Sequence, residues 1–393
     1  MLSATELWYR AKKLYALYPG VRVPVSGGFL AGHYARRRRD RGPLRACVDA
    51  GVGLAFLAWI PFRARAVQRR HSLDARWRAC AVAIARQAFA DPNDIALFRV
   101  DDLAQLDSYI RRFEDAGLNK RINPLAWTAR CVLADKIAFY ARCAAHGLPH
   151  PEVVATIVGG RATVLRAPAG RSLLIKPARG EGGAGVAFID GAPEDSAALA
   201  EWLRVHHPRR RHAWLIQHRI AVHDALRDLA LNALPTARMT TIRNEAGMPE
   251  LVNAVLRIPV DPGAAVDNMK AGGLLSPLGL ADGMLGLACR GYGGGDHAAH
   301  PVTGARIPGR CLPDWAAARV LVVDAHARAF ADYALIGWDV GFSPDGPILI
   351  EGNGKPGVLM PQRAARAGLG GGRYGALLTY QLARADRLAR KCH

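Results

Sequence analysis

Three side chains with hard oxygen atoms, Asp339, Glu351 and Asn353, lie on either side of a turn-forming segment within residues 335–357 of the 393-residue chain. Between the two acids, residues 344–346 read Pro-Asp-Gly, which is the composition of a three-residue hairpin loop. Proline presets the first turn residue, and glycine accepts the left-handed conformation that closes the turn. The flanking segments are therefore predicted to pair as antiparallel strands.

Counting outward from that loop assigns the side chains to two faces, because side chains alternate along a strand. The count places Ser343 opposite Pro347, Gly341 opposite Leu349, and Asp339 opposite Glu351. Asn353 follows two residues later on the same face as the acids. The other face is predicted to be buried, and it carries Trp338, Val340, Phe342, Ile348 and Ile350.

The acidic face suits a magnesium ion. Directly opposed residues lie roughly 5 Å apart at Cβ, and two carboxylates at that distance repel each other unless a cation lies between them. Carboxylate and amide oxygens are the hard ligands that Mg²⁺ accepts while it keeps waters and substrate phosphates. An ordinary hairpin with acids facing solvent has the same pattern, so the segments upstream decide between the two.

The composition indicates a folded protein with an anionic partner. Half of the residues are hydrophobic, and 53 Lys plus Arg against 33 Asp plus Glu give a formal charge of +20. Such an excess suits a nucleotide, an acidic substrate, a membrane surface or nucleic acid. Arginine-rich composition also arises from a GC-rich genome, so the charge does not choose among these partners.

The cysteines and the N-terminus favour a cytoplasmic protein. The seven cysteines are scattered without C-x-x-C spacing, as expected for reduced thiols. The first residues lack the basic-then-apolar order of a signal peptide. The cysteines are Cys47, Cys80, Cys131, Cys143, Cys289, Cys311 and Cys392.

Residues 1–125 are predicted to be helical and basic. The run 50–62 is uncharged for only 13 residues, whereas a membrane-spanning helix needs roughly 20, and Pro61 shortens any helix further. We expect this segment to be a core helix. The alternative is a helix in a membrane interface, because arginine clusters flank the run at 36–39 and 63–70. Further on, residues 101–117 are predicted to form one packing helix that stops at Gly117.

A glycine-rich loop, residues 178–185, is predicted to join two strands, 172–177 and 186–190. Its glycines allow close approach of the backbone to a ligand, and consecutive N–H groups can cradle phosphate oxygens. Lys176 lies at the end of the first strand and directs a charge towards the same place. The G-x-x-x-x-G-K-[ST] spacing is absent, and a strand rather than a helix follows the glycines, which excludes a dinucleotide fingerprint.

A second strand pair is predicted to turn at residues 244–247 and to bring Arg238 and Arg257 to one site. Asp267, Asn268 and Lys270 follow just before a glycine pair.

The order and spacing of these segments resemble the ATP-grasp superfamily, most closely its sugar-transfer-associated branch, over residues 134–357. The matching segments, in chain order, are DK (135–136), LIKPARGEGGAG, LIQHRI, LPTARMTT, VDNMKAGG, HPVTG (300–304) and GWDVGFSPDGPILIEGN. The resemblance implies an α+β fold in which two antiparallel sheets grip ATP and a glycine-rich lid closes over the phosphates. The ATP-grasp domain would occupy 126–375, with a lid-bearing part (126–215) and a metal-site part (216–375). The helical region 1–125 precedes it, where many members have a βαβ-type domain, and a C-terminal helix (376–393) follows.

The same resemblance implies roles for individual residues. Positions that match the nucleotide site are Lys136, Lys176, the lid residues Glu181, Gly182 and Gly183, the hinge residues Gln217, His218 and Ile220, and Asp224 as a ribose acceptor. Positions that match the catalytic groups facing the transferred phosphate are Arg238, Arg257, Asn268 and Lys270. Asp339, Glu351 and Asn353 match the magnesium ligands. The hinge usually carries an acidic residue where this chain has Gln217.

The expected activity is that of an ATP-dependent carboxylate-amine ligase that forms an acyl phosphate and releases ADP and phosphate. The expected substrates are a small carboxylic acid and an amine, with glycan or peptide precursors of the cell surface suggested by the family. One alternative is a phosphotransferase that leaves the phosphate on a hydroxyl or carboxylate. A second alternative is a non-catalytic protein that binds an anionic membrane, or nucleic acid, through the basic N-terminal region; we do not expect the nucleic acid.

Overall fold

The computed structural model describes residues 28–391, apart from 181, 207–211, 268–271 and 292–294. The predictions for Glu181, Asn268 and Lys270 therefore lie outside the described residues. Ten α-helices and twelve strands are described in this part of the chain. Helices and antiparallel strands are mixed, so the predicted α+β class is confirmed, as is the helical N-terminal region over residues 28–125; the prediction for residues 1–27 lies outside the described residues.

The N-terminal region is a layer of helices with its own hydrophobic core. Asp74 and Asp91 cap the helices α3 (Ala75–Ala88) and α4 (Pro92–Phe98) by accepting hydrogen bonds from the backbone N–H groups of Trp77 and Asn93, which satisfies donors that a helix start leaves open. The core of this layer includes Phe56, Ile60 and Phe89. The helices are α1 (Ala31–Arg39), α2 (Pro43–Arg70), α3 (Ala75–Ala88), α4 (Pro92–Phe98) and α5 (Arg112–Ile122).

The expectation of a short helix around residues 50–62 is wrong. Helix α2 runs for 28 residues and continues through Pro61. The helix is long enough to cross a membrane, and its most apolar 18-residue window has a mean hydropathy of 1.4. Within the protein, 22% of that window is buried. Core helices can share these properties, and one face of α2 does pack against α3 and α4.

The prediction of a single helix over residues 101–117 is also wrong. A 3₁₀ helix covers Leu103–Ser108, the chain then extends, and α5 begins at Arg112 and continues past Gly117. Gln362 explains the break, because its side chain accepts a hydrogen bond from Ile110 N (2.9 Å) and donates one to Ile110 O (2.8 Å). These bonds replace the helical partners of that residue.

The first sheet has five antiparallel strands in the order β2-β1-β5-β3-β4. The predicted strands on either side of the glycine-rich loop are confirmed as β3 and β4, which pair directly. Before this sheet, Asp135 caps α6 (Lys136–Ala145) as its N-terminal residue. The strands are β1 (Val153–Val158), β2 (Arg161–Val164), β3 (Leu173–Pro177), β4 (Ala187–Ile189) and β5 (Trp214–His218), and α7 (Ser196–His206) packs on them.

The second sheet has seven antiparallel strands in the order β10-β9-β8-β7-β6-β11-β12. The predicted strand pair with a turn at 244–247 is confirmed as β6 and β7. The strands are β6 (Thr236–Arg243), β7 (Pro249–Ile258), β8 (Leu274–Pro277), β9 (Ala288–Arg290), β10 (Asp296–His297), β11 (Leu335–Ser343) and β12 (Gly346–Asn353). The helices around this sheet are α8 (Trp315–Asp324), α9 (Leu359–Ala365) and α10 (Arg373–Lys391).

The hairpin β11–β12 confirms the pairing of Asp339 with Glu351, but by a different route from the one predicted. Ser343 pairs with Gly346, so the turn has two residues rather than three, and Gly341 faces Ile348. A register shift next to Asp339 then adds one residue to β12 and restores the pairing of the two acids.

The shorter turn also changes which side chains of β12 are buried. Leu349 is fully buried with Trp338 in the large core cluster, whereas Ile348 and Ile350, which were predicted for the buried face, are only half-buried. Ile350 instead lines a cleft between the two sheets. The two-residue turn explains this, because it moves the register by one residue and pairs Leu349, rather than Ile348 or Ile350, with Val340 on the buried face.

Candidate nucleotide and metal site

The two sheets meet across a cleft of about 380 Å³. The five-stranded sheet contributes Lys176 and Gln217, and the seven-stranded sheet contributes Asp339 and Glu351. Six cationic side chains and three carboxylates line the cleft, which leaves a formal excess of three positive charges. These residues are Lys136, Lys176, Arg219, Arg238, Arg257, Lys355, Asp267, Asp339 and Glu351.

Asp339 is the centre of an ion-pair network on the seven-stranded sheet. It lies directly across from Arg238 in the β11–β6 register, and Arg238 donates to both of its carboxylate oxygens. Arg257 Nη2 lies 3.1 Å from Asp339 Oδ2. The structure therefore brings together two arginines and one predicted metal ligand, as their separate positions in the sequence suggested.

This network fixes the charges of the groups within it. Burial alone would raise the pKa of Asp339, but Arg238 and Arg257 outweigh burial and hold that pKa below its usual value. Arg257 also lies 3.4 Å from Asp267 Oδ2, and its pKa is raised because Asp267, Asp339 and Glu351 together outweigh its desolvation. Asp339 is ionised and Arg257 is protonated throughout the physiological range.

Asp267 was noted in the sequence but assigned no role, and the structure gives it one. It is 6% exposed and accepts a hydrogen bond of 2.9 Å from Thr236 N, and a second one from the hydroxyl of Thr236. Thr236 Oγ1 in turn accepts from Arg257 Nε at 3.0 Å. Asp267 thus orients Arg257 towards Asp339.

Lys136 links three parts of the cleft. It lies in the first turn of α6, its Nζ is 3.5 Å from Glu351 Oε2, and it donates a 3.2 Å hydrogen bond to the carbonyl oxygen of Gly180 in the glycine-rich loop. The predicted nucleotide lysine therefore contacts both a predicted metal ligand and the loop predicted to close over phosphates.

Lys176 is held by a tyrosine that the sequence interpretation missed. Its Nζ donates to Tyr140 Oη at 2.8 Å, and Tyr140 Oη donates to the carbonyl oxygen of Ile350 at 2.7 Å. Burial, with repulsion from Lys136, lowers the pKa of Lys176 to about 7. Helical spacing could have revealed Tyr140, because it follows Lys136 by four residues and shares its face of α6.

The glycine-rich loop packs closely over the cleft. Gly182 and Gly183 both line it, and both adopt positive φ. A Cβ atom at Gly183 would lie 2.6 Å and 2.7 Å from the methyl groups of Val266, closer than real contacts allow. Glycine is therefore required at 183 for both its backbone conformation and the contact with Val266.

The predicted hinge consists of Gln217 and the backbone of residues 218–220. Gln217 and Ile220 line the cleft. The side chain of His218, which is not part of that prediction, points away from the cleft, since its Nδ1 lies 2.8 Å from Glu152 Oε2 and its Nε2 lies 3.0 Å from the carbonyl oxygen of Pro168. This is the result of alternation along β5, which sends neighbours 217 and 218 to opposite faces.

The predicted ribose role of Asp224 does not fit its position. Its side chain is 80% exposed in a short 3₁₀ turn (Asp224–Leu226) and pairs with Arg227, three residues later. It is not among the residues that line the cleft. The turn carries it to the surface, which spacing along the sequence did not reveal.

The residues at the hairpin fit a magnesium-nucleotide complex. Asn353 Nδ2 is buried without a hydrogen-bond partner among the described residues, so this donor is available to an acceptor such as a phosphate oxygen. The described residues hold no cluster of three or more His, Cys, Asp or Glu side chains suited to a metal. A cation here would rely on Asp339, Glu351, the Asn353 amide and phosphate oxygens, which is the hard-oxygen set that Mg²⁺ takes.

Two antiparallel sheets that enclose a cation-lined cleft under a glycine-rich hairpin define the ATP-grasp class. A family model described as "Sugar-transfer associated ATP-grasp" matches residues 115–373, more than half of the chain. The chain belongs to this family, which confirms the resemblance inferred from the motifs. No curated protein matches the sequence.

Solved structures with a similar fold share little sequence. D-alanine-D-alanine ligase from Coxiella burnetii is 11% identical over 67% of this chain and 61% of its own, with a TM-score of 0.37. The ATP complex of the Bacillus anthracis enzyme is 12% identical over 67% and 68%, also at 0.37. D-cycloserine synthetase is 17% identical over 65% and 71%, at 0.35. The chain thus spans about three fifths of the first of these ligases.

Proposed function

We propose that the protein is an ATP-dependent carboxylate-amine ligase. The observation that carries the proposal is the convergence of Arg238 and Arg257 on Asp339, directly across the hairpin from Glu351. Fixed positive charges beside paired hard-oxygen ligands suit transfer of a terminal phosphoryl group, where catalysis depends on positioning and electrostatic stabilisation.

ATP would lie along the cleft with its base near Gln217 and Ile220 and its phosphates near Lys136 and Lys176. These two lysines lie side by side, because Lys136 N donates a hydrogen bond to the carbonyl oxygen of Ala178, two residues after Lys176, so a polyphosphate that contacts both would neutralise both. Lys136 would exchange its contact with Glu351 for a phosphate oxygen. Asp339, Glu351 and Asn353 would hold Mg²⁺, which supplies charge neutralisation on the phosphate oxygens when bound.

The reaction proceeds in two displacements. A carboxylate oxygen of the substrate forms a bond to the γ-phosphorus while the bond to the β–γ bridging oxygen breaks, which gives an acyl phosphate and ADP. The amine then adds to the acyl carbon, loses a proton, and expels inorganic phosphate to leave an amide. Arg238 and Arg257 stabilise the negative charge on the transferring group, and Arg257 is held in place by Asp267 and Thr236.

The substrates enter from the end of the cleft that α9 borders. Leu359 and Met360 of this helix line the cleft together with Lys355 and Pro356. We propose a small carboxylic acid and an amine of a glycan or peptide precursor, in keeping with the family description, and a cytoplasmic location where ATP is supplied.

Trapping of the intermediate tests the proposal. Hydroxylamine, supplied in place of the amine with a panel of carboxylic acids and Mg·ATP, should give ADP, phosphate and a hydroxamate of the correct acid. Release of AMP and pyrophosphate would indicate adenylation instead. ADP with a stable phosphorylated product and no hydroxamate would indicate a phosphotransferase and would overturn the ligase. The exposed turn variant Asp345→Asn serves as the matched control on the same hairpin, and it should behave as the wild type.

A further inference from the structure

Helix α2 has two apolar faces, and only one of them is covered in the described part of the chain. The covered face repeats at helical spacing and packs on the N-terminal core through Phe56, Ile60, Ala64 and Val67, which are 0–5% exposed. Asp49 lies on the same side, is 3% exposed, and is paired with Arg41. This face therefore belongs to the folded protein.

The opposite face presents large apolar side chains to solvent. Leu44, Leu54 and Phe62 are 81%, 70% and 75% exposed, and Val48 is 38% exposed. Leu44 and Phe62 are about five helical turns apart, so they point in the same direction, roughly 27 Å from each other along the axis. The exposed stripe, as we call this face, consists of Leu44, Cys47, Val48, Gly51, Leu54, Ala55, Ala58 and Phe62.

Positive charge surrounds the exposed stripe. Residues 28–90 contain thirteen arginines against three aspartates and no lysine or glutamate, an excess of ten charges and half of the +20 of the whole chain. Arg65 and Arg69 are exposed and continue the line of the stripe at the C-terminal end of α2. Residues 36–39, four arginines at the end of α1, lie before its N-terminal end.

We propose that the exposed stripe docks on a membrane surface rich in anionic lipids, with α2 lying in the plane of the interface. Apolar side chains would enter the boundary between head groups and acyl chains, and the flanking guanidinium groups would meet lipid phosphates. A membrane-spanning orientation is disfavoured because the opposite face of α2 is packed on the protein core and carries the buried Asp49.

A second copy of the chain fits this surface less well. A symmetric dimer places the same patch on both subunits, so the ten excess charges of each helical layer would face each other and repel. An anionic bilayer offers both the apolar layer and the opposite charge. Docking does not depend on the proposed ligase activity, but the two are physically connected, since Leu359 packs on the same helical core and also lines the cleft.

Vesicle co-sedimentation of the full-length chain tests the proposal. Vesicles of phosphatidylglycerol mixed with phosphatidylcholine should bind the protein, and binding should weaken with salt. Leu54→Glu with Phe62→Glu should abolish binding, and Arg65→Gln with Arg69→Gln should weaken it about 30-fold, or about fivefold for each arginine. Val320→Glu is the matched control, because Val320 is 68% exposed on α8, away from the exposed stripe.

The native cysteines report directly on the surface. Cys47 lies on the exposed stripe, and Cys311 is exposed elsewhere. Maleimide should label both thiols in solution, and the mixed vesicles should protect Cys47 while Cys311 still reacts. Protection of Cys47 without vesicles would show that protein covers the stripe and would overturn the proposal. Equal binding to pure phosphatidylcholine, absence of binding, or a dimer that Phe62→Glu dissociates would overturn it as well.

Discussion

The charged side chains on the two sides of the cleft differ in their partners. On the seven-stranded sheet, Asp339 is ion-paired with Arg238 and Arg257, so each arginine has a carboxylate partner before any ligand arrives. On the five-stranded side, Lys176 is 5% exposed and donates to the neutral phenol of Tyr140. None of the ion pairs among the described residues includes it.

This difference indicates that the two sides of the cleft have different roles in the proposed reaction. The network on the seven-stranded sheet is already charged and oriented, as a site that stabilises transferring charge must be. The five-stranded side holds a lysine whose charge is suppressed by burial and restored by an approaching phosphate. The first side would set the rate of chemistry, and the second would set nucleotide affinity.

The largest effect is expected from Glu351→Gln. Loss of one proposed metal ligand should lower turnover by about 100-fold, while the free energy of unfolding changes by less than about 1 kcal/mol because the Glu351 side chain is 22% exposed and, among the described residues, forms its one ion pair with Lys136. Turnover and thermal denaturation measure the two quantities. Turnover equal to that of the control Asp345→Asn would remove Glu351 from the site.

Asp339→Asn should instead destabilise the fold. It removes the charge that compensates Arg238 and Arg257 in a buried setting, and leaving a buried partner unpaired costs about 3 kcal/mol. The sequence alone predicted that the fold stays intact, because removal of one of two facing carboxylates relieves repulsion. Urea denaturation compares this variant with Glu351→Gln, and equal stability of the two would show that the network is not balanced as described.

Lys176 should make both stability and nucleotide binding depend on pH. Its folded pKa of about 7 lies below the ordinary 10.5, so between these values the unfolded chain binds a proton that the folded chain lacks. Stability should therefore rise with pH from about 7 to 10.5, and the cost of the buried charge is fully present below 7. Nucleotide affinity should fall over the same interval, because phosphate binding requires uptake of that proton.

Lys176→Met isolates this effect. The variant should bind nucleotide about tenfold more weakly at pH 7 and should lose both pH dependences. Calorimetry in buffers with different ionisation enthalpies measures the proton uptake directly. A wild-type affinity that is flat between pH 7 and 9 would place the charge of Lys176 outside the nucleotide site.

Gly183→Ala should raise the KM for ATP several-fold with little change in global stability. The added methyl group meets Val266 at a residue with φ of +75°, which costs about 1–2 kcal/mol in the loop. Val266→Ala should recover part of the loss by relieving the clash. Gly159→Ala is the control, since it has φ of +59° and open space at Cβ. An equal KM effect in this control would show that the contact with Val266 is not responsible.

Asp224→Asn should have no measurable effect on nucleotide affinity. The side chain is 80% exposed, and its one ion pair in the described part of the chain is with Arg227 on the surface. A clear loss of affinity in a binding titration would mean that this turn reaches the nucleotide and that the description of the cleft is incomplete.

Local patterns predicted the elements well where the determining interactions are local. The strands around the glycine-rich loop and the β6–β7 pair follow from turn residues and alternation, which act within a few positions. Patterns failed where a distant partner decides. Gln362 interrupts the helix predicted over 101–117, and tertiary packing of one face supports α2 through Pro61.

The candidate site likewise has features that follow from local sequence and features that depend on distant residues. The sequence by itself determined the family, the paired acids of the hairpin, and the residue types that a phosphate cleft needs, because these depend on spacing and composition. Tertiary structure alone decided that Asp339 neutralises two arginines, that Tyr140 holds Lys176, and that Asp224 lies outside. The reason is physical: charge balance and burial depend on distances between segments far apart in the chain, and one-residue shifts such as that beside Asp339 redirect whole faces.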